Sequence, residues 1–208
     1  MFSLKVINFL LILLLSSTIF LSCSESTEPE DSINELIPLK IGNTWNYMRT
    51  VYDSTGIVQY TEDITSTVVK DTTIDGITWY SYNNIPTGIW YTNKSDGYWV
   101  FVKADYGYSL NDSSWIAYKF PCLKGEKYGE PNFPIEVIST DEMTSVSAGQ
   151  FKTIHLITYG DSTNYLMHSF ETFITPDLGI VKRMQIGKKY DGTKFIVYKD
   201  ELENYSIR

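Results

Sequence analysis

The sequence predicts an all-β protein folded as one curled antiparallel sheet, either a half-barrel or an open barrel. Strand-favouring residues are enriched, including 16 Tyr and 5 Trp among 208 residues. Asp-Gly pairs, which favour the tight turns of β-hairpins, occur at residues 75–76, 96–97 and 191–192. After the first 22 residues, no apolar pattern has both the 3.6-residue period and the length of a helix.

The pattern predicts eleven strands, each bounded by turn residues. In chain order they cover residues 44–52, 57–70, 77–82, 89–92, 97–103, 115–120, 135–139, 151–159, 164–175, 180–185 and 193–199. β-branched and aromatic residues dominate these runs, as is typical of strands.

Two of these strands are apolar on both faces. At 97–103, Tyr98 lies on one side while Trp99 and Phe101 lie on the other, and the strand at 77–82 behaves in the same way. A sheet with one solvent-facing side alternates apolar with polar residues. These strands therefore predict cover on both faces, by a second layer or by curling of the sheet around an interior.

The N-terminus has the layout of a removable secretory signal. Residues 1–22 contain Lys5 followed by an apolar stretch at 6–15. A membrane-spanning anchor is the alternative, but this stretch is shorter than the roughly 20 residues that cross a bilayer. The sequence thus predicts a signal peptide at 1–22, a short disordered acidic tether at 23–35 and a single antiparallel β domain at 36–208.

The end of this signal resembles a bacterial lipobox, in which a lipid is attached to the cysteine that becomes the new N-terminus. The match is Leu21-Ser22-Cys23, with Phe20 where the commonest lipobox has Leu. The resemblance implies acyl chains at Cys23 that make the membrane a partner. Because Ser24 is not the Asp that retains such proteins at the inner membrane, we expect the outer membrane of a Gram-negative bacterium, facing periplasm or cell surface. The alternative is ordinary cleavage beside an unmodified cysteine.

Composition excludes some partners. Without residues 1–22 the chain carries 16 Lys and Arg against 25 Asp and Glu. Binding to nucleic acid depends on neutralising phosphates with Lys and Arg, so we expect no nucleic-acid partner. Cys122 is the only cysteine besides Cys23, so acylation of Cys23 would leave no intrachain disulfide.

Catalytic motifs are missing from the sequence. His155 and His168 both lie in predicted strands, and neither has zinc-ligand spacing. No nucleophile elbow, P-loop or dinucleotide-binding glycine motif occurs. We therefore expect a protein that is not an enzyme and that holds no cofactor or metal.

Three segments resemble known envelope proteins. Residues 37–47, IPLKIGNTWNY, are similar to the P-L-x-x-G-N-x-W-x-Y opening of many uncharacterised bacterial lipoproteins. Residues 146–154 and 173–182 are similar to the v-x-A-G-x-F and a-P-x-x-G-x-V-K signatures of envelope proteins with a curled antiparallel sheet, loosely related to Lol-type lipoprotein carriers. The resemblance implies a half-barrel whose concave face holds an acyl chain or another apolar ligand. The carriers also have helices that plug the barrel, and this sequence predicts none.

These observations leave three candidate functions. The first is a lipid or apolar-ligand binder, with Trp45, Tyr47, Trp79 and Tyr98 as candidate ligand-binding residues. The second is a structural or protein-interaction lipoprotein with an envelope protein as its partner. The third is a carbohydrate-binding module that uses surface aromatics. Against all ligand-binding hypotheses stands a structural interpretation, in which the same aromatics form the core and cross-strand pairs.

Overall fold

The structure is a computed structural model that describes residues 35–104, 111–130, 133–160 and 167–208. The predicted signal peptide, Cys23 and all of the predicted tether except Glu35 lie outside the described residues. Residues 33–208 form one compact unit, and all the strands lie within it. In the described ranges, no helix has the length and hydropathy needed to cross a membrane.

The described residues form twelve strands in one antiparallel sheet, which confirms the predicted fold class. The strands are β1 (Thr44–Tyr52), β2 (Val58–Ile74), β3 (Ile77–Tyr82), β4 (Ile89–Lys94), β5 (Gly97–Val102), β6 (Ser113–Lys119), β7 (Lys127–Glu130), β8 (Phe133–Val146), β9 (Gly149–Tyr159), β10 (Ser169–Thr175), β11 (Gly179–Lys188) and β12 (Lys194–Ser206). All but β7 were predicted. That strand is short, polar and interrupted by Gly129, so it has no strand-like pattern of its own.

The order of the strands across the sheet is β6-β5-β4-β3-β2-β1-β12-β11-β10-β9-β8-β7. Strands β1 to β6 therefore form one meander and β7 to β12 another, and within each meander only sequence neighbours pair. The two meanders join where β1 pairs with β12, with Thr44 opposite Ser206 and Val51 opposite Tyr198.

Long, irregular strands curl this sheet into a nearly closed barrel. The first part of β2 pairs with β1 and the second part with β3, and the change of partner falls at the fully buried Val68. The register of β8 against β9 shifts at two places, as bulges that bend strands do. The two edge strands of the sheet, β6 and β7, approach each other and nearly close the barrel. The backbone N–H of Lys119 donates to the Tyr128 hydroxyl at 3.0 Å, and the Lys119 ammonium pairs with Glu126, which precedes β7.

An aliphatic core fills the barrel on the side of the second meander. Burying each such side chain contributes about 1.5–3 kcal/mol. The segment at 36–39, which precedes β1, packs into the same core. The core side chains include Leu36, Ile37, Leu39, Val137, Ile154, Leu156, Ile174, Val181 and Leu202.

The three Asp-Gly pairs all mark turns, but only one has the predicted geometry. Residues 75–76 form a two-residue hairpin turn with φ of 51° and 77°, as a type I′ turn requires. At the second pair the turn residues are Ser95 and Asp96, and Gly97 already begins β5. The third pair belongs to a longer loop closed by a 2.8 Å bond from the Thr193 N–H to the Asp191 carboxylate.

Gly97 permits a close approach between β5 and the end of β6. Its φ is 141°, and a Cβ there would lie 2.3 Å from the Tyr118 carbonyl oxygen and 2.9 Å from the Lys119 Cα. Both neighbours are backbone atoms of the paired strand, so they cannot move without disturbing the ladder. This position therefore requires glycine on steric grounds as well as for its φ.

We expect Gly97→Ala to lower the free energy of unfolding by about 3 kcal/mol, because the added methyl collides with backbone. Gly56→Ala is the matched control, since φ is 88° there but no atom lies within 4 Å of the added Cβ. It should cost only about 1 kcal/mol. Urea unfolding of a soluble form beginning at Ile33 measures both. Equal losses would contradict the steric argument.

Candidate functional site

A cavity of about 520 Å³ lies inside the barrel, on the side of the first meander. Its walls come from all six strands of that meander, from β11 and β12, and from Ile37 of the N-terminal segment. The opposite side of the interior is the aliphatic core. The barrel is thus filled on one side and hollow on the other.

A row of aromatic rings forms one wall of the cavity. Tyr82 meets Trp45 edge-on at 6.1 Å between ring centroids and Tyr91 at 5.4 Å. The row continues as a stack, with Tyr91 and Tyr98 5.4 Å apart and Tyr98 and Tyr118 5.9 Å apart, both pairs inclined by 16°. These are favourable ring geometries, and the rings pack against one another along one side of the cavity.

Hydrogen bonds fix several of the tyrosine hydroxyls. Tyr47 donates to the Ile180 carbonyl oxygen at 2.9 Å, and the Tyr82 and Tyr98 hydroxyls lie 3.0 Å apart. Burial raises the pKa of the ring hydroxyls in this wall well above the usual range for tyrosine. The tyrosines are therefore neutral at physiological pH and bring dipoles, but no charge, to the cavity.

Two arginines and one aspartate supply the charge in the lining. The Asp200 side chain is only 4% exposed. Arg49 donates to both its oxygens, from Nε at 2.7 Å and from Nη2 at 3.0 Å. Arg183 approaches from the other side and donates to Oδ2 from Nη2 at 2.8 Å and from Nε at 3.3 Å. Such charge-assisted bonds offset the cost of burying the carboxylate.

The sheet register brings this cluster together. Asp200 on β12 stands directly opposite Arg49 on β1 and Arg183 on β11, so the three side chains are cross-strand neighbours. Arg49 also stacks on the Tyr198 ring, with Cζ 4.2 Å from the centroid, and lies 3.8 Å from the half-exposed Glu62 carboxylate. Among the described residues, Asp200 is the only carboxylate paired with Arg183.

Three of the four predicted ligand-binding residues line the cavity. Trp45 and Tyr47 on β1 and Tyr98 on β5 face the cavity. Trp79 does not, because the interior face of β3 carries Tyr80 and Tyr82. Trp79 packs on the outer face, with its ring centroid 5.6 Å from that of Phe101 and 5.3 Å from the Lys94 ammonium.

Sequence reasoning missed the charged part of the lining. Arg49 follows Trp45 and Tyr47 at the same two-residue spacing, which placed it on the interior face. The predicted strand at 193–199 stopped before Asp200, since an acidic run follows Lys199. Nothing in the local sequence indicated that the two arginines would meet one buried carboxylate.

A second polar cluster lies on the outer face of the second meander. His155 stacks on Phe173 at 4.2 Å between centroids, and its two ring nitrogens contact Glu142 at 2.9 Å and Glu171 at 3.2 Å. Burial lowers the pKa of His155, but the two carboxylates outweigh burial and raise it. The described residues contain no group of three or more His, Cys, Asp or Glu side chains suited to hold a metal ion.

The segments that carry the family resemblance meet in the structure. The Trp45 indole N–H donates to the Leu178 carbonyl oxygen at 2.7 Å, which ties the first segment to the turn at 176–179. Asn43 is fully buried, donates to the Pro38 carbonyl at 2.9 Å and accepts from the Arg208 N–H at 3.0 Å. Asn43 therefore links the segment before β1 to Arg208.

Two solved structures of bacterial proteins are similar to this one, and the first of them shares its fold. A candidate lipoprotein from Parabacteroides distasonis superposes with a TM-score of 0.50 at 16% identity, covering 83% of this chain and 99% of that one. A candidate exported protein with a YmcC-like fold from Bacteroides fragilis gives 0.47 at 13% identity, covering 84% and 100%. No protein-family model and no curated protein matches the chain. Neither structure is described as a Lol-type carrier, so that similarity stays a prediction.

We expect Asp200→Asn to lower the free energy of unfolding by about 3 kcal/mol, since it leaves two partly buried guanidinium groups without their carboxylate. Asp63→Asn is the matched control, because Asp63 lies on the exposed part of β2. That change should stay within about 0.5 kcal/mol of the unchanged protein. Chemical denaturation followed by tryptophan fluorescence gives both values, and a stability loss at Asp200 no greater than at Asp63 would refute the role of the ion cluster.

Proposed function

We propose that this protein is a non-enzymatic envelope lipoprotein, anchored to the membrane through Cys23, that binds a small apolar or amphipathic molecule inside its barrel. The observation that carries the proposal is the 520 Å³ cavity with its aromatic wall. Ligand sites are concave, predominantly apolar and about 300–1,000 Å³ in volume, with a few polar groups that orient the ligand.

The division of the interior supports binding over a purely structural role. Side chains on the second meander pack together in the core, as protein interiors normally do. On the first meander, Trp45, Tyr82 and Tyr98 belong to the same core cluster, yet a cavity of about 520 Å³ remains beside them. If these aromatics served only to fill a core, the same residues would interdigitate and leave no cavity of this size.

The chemistry of the lining supports a binding role rather than catalysis. Its carboxylate, Asp200, is held by two arginines. Burial raises the pKa of its tyrosine hydroxyls, so these hydroxyls do not give up a proton near neutral pH. Ser66 also lines the cavity, but no histidine stands among the lining residues to activate it.

Membrane anchoring is supported by the N-terminal sequence, in which a signal-like segment ends at Cys23. The structural neighbour from Parabacteroides distasonis is itself described as a candidate lipoprotein. Acyl chains at Cys23 would hold the barrel at a membrane surface, beyond an acidic tether.

Cys23→Ser should leave an unprocessed precursor and abolish metabolic labelling by palmitate, because the acylated thiol is gone. Cys122→Ser is the matched control and should be labelled like the unchanged protein. Membrane fractionation and labelling of both variants test the anchor. If Cys23→Ser matured and fractionated like the unchanged protein, the chain would not be anchored through Cys23.

Ala117→Trp should weaken binding of an environment-sensitive fluorescent fatty acid by at least about tenfold, because Ala117 lines the cavity and the larger ring occupies it. Ala104→Trp inserts the same ring away from the cavity lining and should leave binding unchanged. Fluorescence titration measures both, after circular dichroism has shown that each variant keeps its β-sheet signal. Organic extracts of protein purified without detergent, analysed by mass spectrometry, should also contain a bound small molecule.

An interaction role is the second candidate, favoured by the hairpin between β1 and β2. Its end exposes apolar side chains, with Ile57 63%, Val58 51% and Tyr60 54% accessible. If the unchanged protein shows no saturable binding and yields no extracted molecule, this role takes precedence and the aromatic cavity serves only the fold.

A further inference from the structure

We infer that the ligand of the barrel cavity is an amphipathic carboxylate, whose carboxylate pairs with Arg183 while its apolar body lies against the tyrosine wall. This inference rests on the proposed function and adds the chemical class of the ligand. It starts from the charge of the lining, where Arg49, Arg183 and Asp200 are the charged side chains.

The charges of the lining do not balance. Two guanidinium groups face one carboxylate, and arginine stays protonated under all physiological conditions. Arg49 has a second acidic neighbour in the half-exposed Glu62 at 3.8 Å, which offsets part of its charge. Arg183 shares Asp200 with Arg49 and has no other acidic partner among the described residues. Arg183 is therefore the less compensated of the two guanidinium groups.

The geometry of Arg183 suits a carboxylate. A guanidinium group carries five N–H donors in a planar fork, and the bonds to Asp200 come from Nε and Nη2. The third nitrogen of the group, Nη1, makes no bond to Asp200. The side chain is 38% accessible although it belongs to the cavity lining, so the group can meet a ligand without breaking its pair with Asp200. Planar two-oxygen anions fit such a fork.

The aromatic wall supplies the apolar half of the site. The stack of Tyr91, Tyr98 and Tyr118 and the nearby Val100 line the same cavity as Arg183. Tyrosine hydroxyls are neutral at physiological pH, and burial raises their pKa further, so they do not repel an anion. A molecule with a negatively charged end and an apolar body could therefore pair with Arg183 and pack against the tyrosine wall within the same cavity.

The size of the charge favours a carboxylate over a phosphate monoester. The lining side chains carry one positive charge in excess, and Glu62 beside Arg49 offsets part of it, so a carboxylate brings less surplus negative charge than a phosphate does. A phosphate monoester carries about −1.5 to −2 at neutral pH, and the surplus negative charge would be enclosed without a partner.

Decanoate, decanol and decyl phosphate are matched probes that differ only in the head group. Calorimetric titration into the soluble form beginning at Ile33, which contains every strand and the whole core, compares their affinities. We expect decanoate to bind at least about tenfold more tightly than decanol, as a charge-assisted pair predicts. Arg183→Gln should remove this preference, so that the variant binds decanoate no more tightly than decanol. Lys182→Gln is the matched control, since it removes the same charge from the opposite face of β11 and should keep the preference.

The outcomes separate this inference from the proposed function. Equal affinity for decanoate and decanol, tighter binding of decyl phosphate, or a preference that survives Arg183→Gln would overturn the carboxylate assignment while the cavity remained a binding site. Absence of binding by all three probes would overturn the proposed function as well. If Arg183→Gln does not fold, Arg183→Lys keeps the charge but loses the planar fork. The preference should then decrease without vanishing, and full retention would contradict the role of the fork.

Discussion

The pairing of β1 with β12 is the constraint on which the rest of this structure depends. All other pairings in the described sheet join strands that are adjacent in sequence, so hairpins suffice to form them. Only β1 and β12 bring distant parts of the chain together, with Thr44 opposite Ser206. Closing so long a loop costs conformational entropy, which must be offset by contacts made at the junction. The bonds between Arg49 and Asp200 cross this junction and are among those contacts.

The two meanders that meet at this junction contribute different kinds of side chain to the interior. The second meander brings short aliphatic side chains that pack together, whereas the first brings large aromatic ones from β1, β3, β4, β5 and β6. Where the two meet, at β1, β12 and β11, Asp200 and its two arginines occupy the wall. Charged groups are costly to bury even as pairs, so hydrophobic residues there would have been a simpler way to stabilise the barrel. Because these charged residues line the cavity, they also suit the proposed binding role.

The residues that carry the family resemblance turn out to hold the fold together. Trp45 and Tyr47 each donate a hydrogen bond to the backbone of the second signature, at Leu178 and Ile180. Asn43 links the segment before β1 to the C-terminal Arg208. Trp45 and Tyr47 also line the cavity, so one side chain can serve both the scaffold and the site. Arg49, Arg183 and Asp200, which give the cavity its charge, belong to none of the quoted motif positions.

The sequence by itself determined the all-β class, eleven of the twelve strands and the turn at 75–76, because these depend on alternation and turn chemistry between near neighbours. It also determined that Trp45 and Tyr47 share a face, which follows from their spacing. Only the tertiary structure decided that Trp79 faces outward, that β12 continues through Asp200 and that Arg49 and Arg183 meet there. The physical reason is that strand patterns specify faces but not partners. Which strands pair, and therefore which charges meet and where a cavity remains, is settled only when the sheet curls and its two halves join.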